Sequence, residues 1–234
     1  MSINMALNIN SFLTNSDAKE FYEKVLSITH DIEEITKGRV LIFGGLLRRI
    51  IETHFNPDLK FETPDVDIWI NRIFPEDPFY DVYREFGHSH TSWDRERRRI
   101  FTEISKKHTT DKDFIVYPQF GHRINYGVCT MTIDDINFDM CTNINLFTTF
   151  TKLSDYSCNN LYTDTITGTL AMRVKTQYSI DDCIKHIRDK KLYEIYDEDF
   201  ITNHLIDYCP KHASYYDEKK KYRKEKMLSY GYSY

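Results

Sequence analysis

The tightest constraint on the fold is a pair of short apolar runs that end in residues unsuited to a core. Val40-Leu41-Ile42-Phe43 runs into Gly44-Gly45-Leu46-Leu47-Arg48-Arg49, and further on Val66, Ile68 and Ile70 alternate with Asp67 and Trp69. The first run reads as a buried strand over 39–43, broken by the two glycines and followed by a short helix over 46–54. The second reads as a strand over 66–70 whose leading acids, Asp65 and Asp67, share a face because side chains alternate along a strand. Two carboxylates held side by side repel. They are tolerable at a solvent edge or with a divalent cation between them. One half of this stretch is suited to a metal ion, the other to phosphate.

The flanking sequence supplies helices and a hairpin. Asn15-Ser16-Asp17 opens a helix whose apolar positions Phe21, Val25, Ile28, Ile32 and Ile35 fall on one face, and Lys37-Gly38 closes it. Asn56-Pro57-Asp58 is a turn, and 78–107 reads as mostly helical with a charged middle, Asp94 to Arg99, best explained as a solvated face. A short strand is expected over 114–117. A hairpin follows, with arms 123–133 and 136–142 around Asp134-Asp135. On its second arm Ile136 and Phe138 take one face and Asn137 and Asp139 the other, which leaves Asp139 on the polar side of a strand. A helix is expected over 154–162, then a turn with short strand pieces over 165–170. Ser179-Ile180-Asp181-Asp182 is a capping box for a helix to about 189, and another helix is expected over 199–208.

Composition narrows the function classes. A net charge of −5 is unlike that of a general nucleic-acid binder, although 211–234 carries seven Lys/Arg against three acids. A solvated, frayed terminus accounts for that tail as read from sequence. No apolar run approaches membrane-spanning length and the first residues lack signal-peptide character, so an intracellular, cytoplasmic protein with no membrane partner is expected. Five scattered cysteines make no C-x-x-C pair, which points to reduced thiols and no zinc site. The abundance of Asn, Ile, Lys and Tyr hints at an AT-rich genome such as that of a large DNA virus.

Taken singly, Gly-Gly, Asp-x-Asp and one further acid are weak signals; their order carries the argument. Phe43-Gly44-Gly45, a helix, Asp65-Val66-Asp67-Ile68 and then Asp139 resemble the nucleotidyltransferase superfamily with the polymerase-β-like fold. Within it, Gly44-Gly45-Leu46-Leu47-Arg48 looks like the Gly-Gly-x-x-Arg of bacterial poly(A) polymerases and related CCA-adding enzymes. Asp155-Tyr156-Ser157-Cys158-Asn159-Asn160 looks like their Arg-Arg-Asp-Phe-Thr-x-Asn-Ala stretch, with Asp155 and Asn159 on its Asp and Asn. The match covers roughly 40–175.

The resemblance implies an α+β fold: a nucleotidyltransferase core of mixed sheet flanked by helices, with a small helical C-terminal region. The expected boundaries are 1–175 for the core, with a helical insertion at about 78–108, then a short helical extension over 176–210 and a basic, flexible tail over 211–234. The implied activity moves a nucleoside monophosphate from an NTP to a hydroxyl on RNA, protein or a small molecule, releasing pyrophosphate. Asp65, Asp67 and Asp139 would be catalytic and hold Mg²⁺ or Mn²⁺. Gly44 and Gly45 would let backbone N–H groups approach the β- and γ-phosphates, Arg48 and Arg49 would contact the triphosphate, and Asp155 and Asn159 would contact the sugar or shape the pocket.

Departures from the family pattern bear on the reaction. Leu153-Ser154 stands where the double arginine is expected, Arg49 replaces an acid, and no Glu-Asp-x-x-Arg base-selecting element is found. The segment after 175 is short for neck, body and tail domains. These differences argue against CCA addition to tRNA. The rival readings are a catalytically inactive nucleotide-binding or interaction module of the same fold, and metal-dependent phosphodiester hydrolysis.

Overall fold

The computed structural model describes residues 7–71, 99–111, 115–118, 126–143, 154–195 and 211–234. Among these, seven strands form one sheet in the spatial order β3-β4-β5-β2-β1-β6-β7. They are β1 (Arg39–Phe43), β2 (Val66–Asn71), β3 (Ile115–Pro118), β4 (Tyr126–Ile133), β5 (Ile136–Asn143), β6 (Leu161–Asp164) and β7 (Leu170–Met172). The sheet is mixed, because β2 runs parallel to β5 while the other neighbouring pairs are antiparallel.

Helix α1 (Ser16–Thr36) begins where the Asn15 side chain accepts the N–H groups of Asp17 and Ala18. It ends at Lys37, which adopts the left-handed conformation (φ 56°) one residue before the expected Gly38. Helix α2 (Gly45–Phe55) follows β1 directly. Its Leu46, Leu47, Ile50 and Ile51 are fully buried, as are Val25 and Ile32 of α1. They pack on Val40, Ile42, Val66, Ile68, Phe138 and Met140 to make the main core. Each such side chain contributes on the order of 1.5–3 kcal/mol of burial. Strand alternation leaves Leu41, Phe43, Trp69 and Cys141 on the opposite face, with Tyr162 against them. The helices therefore cover one face of the sheet, and the acidic positions fall on the other.

The hairpin turns at Asp134-Asp135, both with positive φ (48° and 64°), as a two-residue connection between right-twisted strands requires. The 78–107 helix is seen only from 99 to 104, where Ile100 and Ile104 reach the core; its earlier part, and the 199–208 helix, lie outside the described residues.

Two expectations differ from the structure. The stretch 154–162 is a loop with a single 3-10 turn, Ser157–Asn159, leading into β6 rather than a helix. Leu161 and Thr163 alternate inward from a strand paired with β1, so sheet pairing overrides local helix preference. The 211–234 segment is not a frayed tail: Lys211–Ser229 forms α4, and Met227 and Tyr232 are buried against the core. Its apolar residues do not line one stripe, and docking depends on Met227 in its last turn and Tyr232 just beyond it. Between these lies α3 (Ile180–Arg188), capped by the expected Ser179/Asp182 box. No described helix is long and apolar enough to cross a membrane.

Candidate active site

The site is built by register. Opposed residues in neighbouring strands point to the same face, and the pairings Tyr162–Phe43, Phe43–Asp67, Asp67–Asp139 and Asp139–Thr130 align one row across five strands. Two aromatic rings, two carboxylates and a hydroxyl thus stand side by side. Thr130 Oγ1 donates to Asp139 Oδ1 at 2.6 Å. A second row lies alongside: Thr132 Oγ1 bonds Asn137 Oδ1 at 2.9 Å, and Asn137 Nδ2 donates to Asp65 Oδ1 at 3.4 Å. Asp65, Asp67 and Asp139 are therefore brought to one patch, with Asp65 exposed and the other two half-buried.

The electrostatics of this patch are strained. Loss of hydration, and next the Asp139 carboxylate, push Asp67 up to about 6, while the charges of Arg223 and Arg173 pull the other way. Like charges opposed across a strand pair are destabilising unless a cation lies nearby. Among the described residues, no group of three or more His, Cys, Asp and Glu side chains encloses a potential metal position. The donor set nevertheless fits Mg²⁺, which takes one or two carboxylates and fills its remaining positions with water and phosphate oxygens. Asp67 and Asp139 would be those two carboxylates, with Asp65 at the outer edge.

Gly44 presses on the same point. It adopts φ 71° and ψ −129°, open to glycine alone, and a Cβ there would meet Asp67 Oδ2 at 2.7 Å. Gly45 has open space where its Cβ would be. Gly44 has no side chain to cap α2, and its own N–H reaches Leu161 O at 3.4 Å. The start of α2 therefore abuts Asp67.

Arg48 and Arg49 are placed differently. Arg48 is 7% exposed, with Nη1 on Glu52 Oε1 at 3.0 Å and Nε on Asn159 Oδ1 at 3.1 Å. The rings of Tyr230 and Tyr232 lie 4.9 and 5.6 Å from its guanidinium carbon. Arg49 bridges Glu52 at 2.9 Å and Glu62 at 2.7 Å. Tyr232 Oη completes the arrangement by donating to Glu52 Oε1 at 2.6 Å.

Asp155 and Asn159 extend this network toward α4. Asp155 Oδ1 accepts the Tyr156 N–H at 2.9 Å and Asn159 Nδ2 at 3.3 Å, while Oδ2 pairs with Arg223 Nη1 at 2.7 Å. Burial would raise the Asp155 carboxyl, but Arg223 and these donors outweigh it and hold it below the usual range. Asp155, Asn159 and Arg48 thus form one connected chain of polar contacts, separate from the acid row but tied to the same helix, α2.

The sequence assigned no role to Thr130, Asn137, Arg173 or Arg223. Thr130 and Asn137 become visible only once hairpin register is known. Arg173 follows β7, its guanidinium carbon 4.1 Å from the Phe43 ring centroid. Arg223 arrives from α4, far away in the chain.

No family model matches this sequence, and no curated protein does. Solved structures do resemble it. A Thermotoga maritima CCA-adding enzyme complexed with tRNA superposes with a TM-score of 0.51 at 8% identity, over 86% of this chain and 38% of that one. CCA-adding enzyme complexes with CTP and with ATP each give 0.50 at 8% identity, over 86% of this chain and 40% and 39% of theirs. The chain spans about two fifths of the length of these proteins. At such identity the likeness is one of fold: the chain has the mixed-sheet α+β fold seen in the matching part of these CCA-adding enzyme structures.

Proposed function

We propose that this chain is a metal-dependent nucleotidyltransferase that moves a nucleoside monophosphate from an NTP to a hydroxyl acceptor, releasing pyrophosphate. The observation that carries this reading is the in-register opposition of Asp67 and Asp139, with Asp65 beside them and Gly44 packed against Asp67. Structures that share the fold contain CTP, ATP or tRNA. That is consistent with an NTP substrate here and leaves RNA, protein and small molecules as acceptor classes.

Asp67 and Asp139 would hold Mg²⁺ or Mn²⁺, with Asp65 as a further ligand. The chemistry such an ion supplies is neutralisation of phosphate charge and activation of the acceptor hydroxyl. The chain's own contribution is positional. Thr130 fixes the Asp139 carboxylate through its hydroxyl. Gly44 permits the close approach of the α2 start to the acids, where backbone N–H groups favour negative charge. Arg48, through Asn159, ties α2 to the Asp155 loop and keeps that start in place.

The test is label transfer from each α-phosphate-labelled NTP, with Mg²⁺ or Mn²⁺ and total RNA or cell lysate as acceptor. Transfer abolished in Asp65→Ala/Asp67→Ala is the expected result. Transfer that survives the double substitution would place the chemistry elsewhere, and NTP binding without any transfer would favour a catalytically inactive nucleotide-binding module.

A further inference from the structure

We infer that Thr130 is a positioning residue that selects the ion at the acid row, favouring Mg²⁺ or Mn²⁺ over Ca²⁺ by holding Asp139 to a single coordinating oxygen. This deepens, and rests on, the reading of Asp67 and Asp139 as carboxylates that hold a divalent ion.

Thr130 and Asp139 are directly opposed on the β4–β5 hairpin, and so are Thr132 and Asn137. Cross-strand partners on one face meet through their side chains, and here each pair is hydrogen-bonded. The Thr130–Asp139 bond is 2.6 Å, within the short range of charge-assisted bonds to a carboxylate. It engages Oδ1, and among the described residues no donor reaches Oδ2. Asn137, held by Thr132, donates in turn to Asp65 Oδ1 at 3.4 Å. The hairpin thus engages one oxygen of Asp139 and, more loosely, one of Asp65.

That division bears on the choice of ion. Ca²⁺ gathers more oxygens than Mg²⁺ and accepts a carboxylate through both of its oxygens at once. Mg²⁺ demands a near-ideal octahedron, into which the narrow bite of a chelating carboxylate fits poorly. Asp139 must weaken or surrender the Thr130 bond to chelate an ion through both oxygens. Binding through one oxygen keeps that bond intact, so the arrangement penalises Ca²⁺ and spares Mg²⁺. Gly44 acts in the same sense. Its main chain stands so close to Asp67 that an added Cβ would lie 2.7 Å from Oδ2, which limits how far a ligand shell can expand on that side.

The test is Mn²⁺ binding to the full chain without nucleotide, read from the electron paramagnetic resonance signal of the free ion, with displacement by Mg²⁺ and by Ca²⁺. Wild type, Thr130→Val and Thr130→Ser are compared, and Asp67→Asn/Asp139→Asn supplies the background from other acids. Valine has the shape of threonine and suits a strand, and urea midpoints are recorded for every protein. We expect Thr130→Val to raise the affinity for Ca²⁺ relative to Mg²⁺ by about ten-fold, the scale of one hydrogen bond to a charged group. Thr130→Ser, which keeps the hydroxyl, should retain the wild-type ratio. A merely structural role would weaken both ions together, so an unchanged ratio in Thr130→Val would overturn the inference whatever its urea midpoint. Wild-type Mn²⁺ binding no greater than the background would overturn it too. If Thr130→Val does not fold, Thr130→Ala is read by the same ratio. Label transfer by the wild type with a ratio unmoved by the substitution would sink this inference and leave the transferase reading standing. A shifted ratio without label transfer by the wild type would do the reverse.

Discussion

Replacing Asp67 by asparagine is expected to stabilise the metal-free protein, the opposite of the usual effect of changing a half-buried polar residue. Asp67 is raised from 3.8 to about 6 by desolvation and by Asp139, so in the folded state it holds its proton more tightly than in the unfolded chain. Stability tied to this group is fully present below the unfolded value and is lost as pH rises through the folded one. The difference corresponds to about 3 kcal/mol at neutral pH as an upper bound. Because the carboxyl retains some access to water, about 1–2 kcal/mol is the working figure. For a chain of this size that is a rise in Tm of roughly 2–8 °C. The assay is urea or thermal unfolding of wild type and Asp67→Asn from pH 4 to 8 in chelator, read as the difference between the two proteins so that other carboxylates cancel. The gap should open between about pH 4 and 6 and then stay constant. Saturating Mg²⁺ should close or reverse it, since only the wild type offers the full carboxylate pair. An Asp67→Asn protein no more stable than wild type at pH 8 in chelator would refute the electrostatic account of the acid row.

Other expectations follow from the same geometry. Gly44→Ala should cost about 1–3 kcal/mol in unfolding free energy, because it combines positive φ with a Cβ 2.7 Å from Asp67 Oδ2; its nucleotide affinity should fall in parallel. Arg48→Met should lower stability by about 2–3 kcal/mol by removing one of the two arginines that hold buried Glu52, Arg49 remaining at 2.9 Å, whereas Tyr232→Phe, which removes only the 2.6 Å hydroxyl donor, should cost about 1–2 kcal/mol, both read by urea denaturation. His108 bonds Asp31 Oδ2 at 2.8 Å through one ring nitrogen and Asp134 through the other; burial disfavours its charge but these bonds outweigh it and raise its pKa. The stabilisation it gives is therefore full below about 6.5. It is lost as pH rises through the higher folded value, and His108→Gln should flatten that slope in unfolding curves taken from pH 5 to 9.

Much of the α+β core was legible because it is locally encoded. Alternation of Val40, Ile42, Val66, Ile68 and Phe138 specifies which face is buried, and the Asp134-Asp135 turn and the Ser179 box mark element ends with short-range chemistry. The stretch 154–162 reads as a helix in sequence because Leu161 and Thr163 declare themselves as strand residues only when β1 is there to pair with. The sequence of 211–234 reads as a solvated tail because its anchors, Met227 and Tyr232, are few and far along a charged run.

For the site, the sequence by itself determined that Asp65 and Asp67 share a face, that a glycine must sit where β1 meets α2, and that Asp139 lies on the polar side of its strand. Those are consequences of strand periodicity and of glycine's access to positive φ, and both operate over a few residues. Only the tertiary structure decided that Asp67 and Asp139 stand directly opposite, because parallel register between β2 and β5 is set by packing between distant segments. It also decided the use of the arginines. A guanidinium serves whichever partner folding brings within reach, and here that commits Arg48 to Glu52 and Arg223 to Asp155, and lays Arg173 over Phe43, the last two from positions distant in the chain.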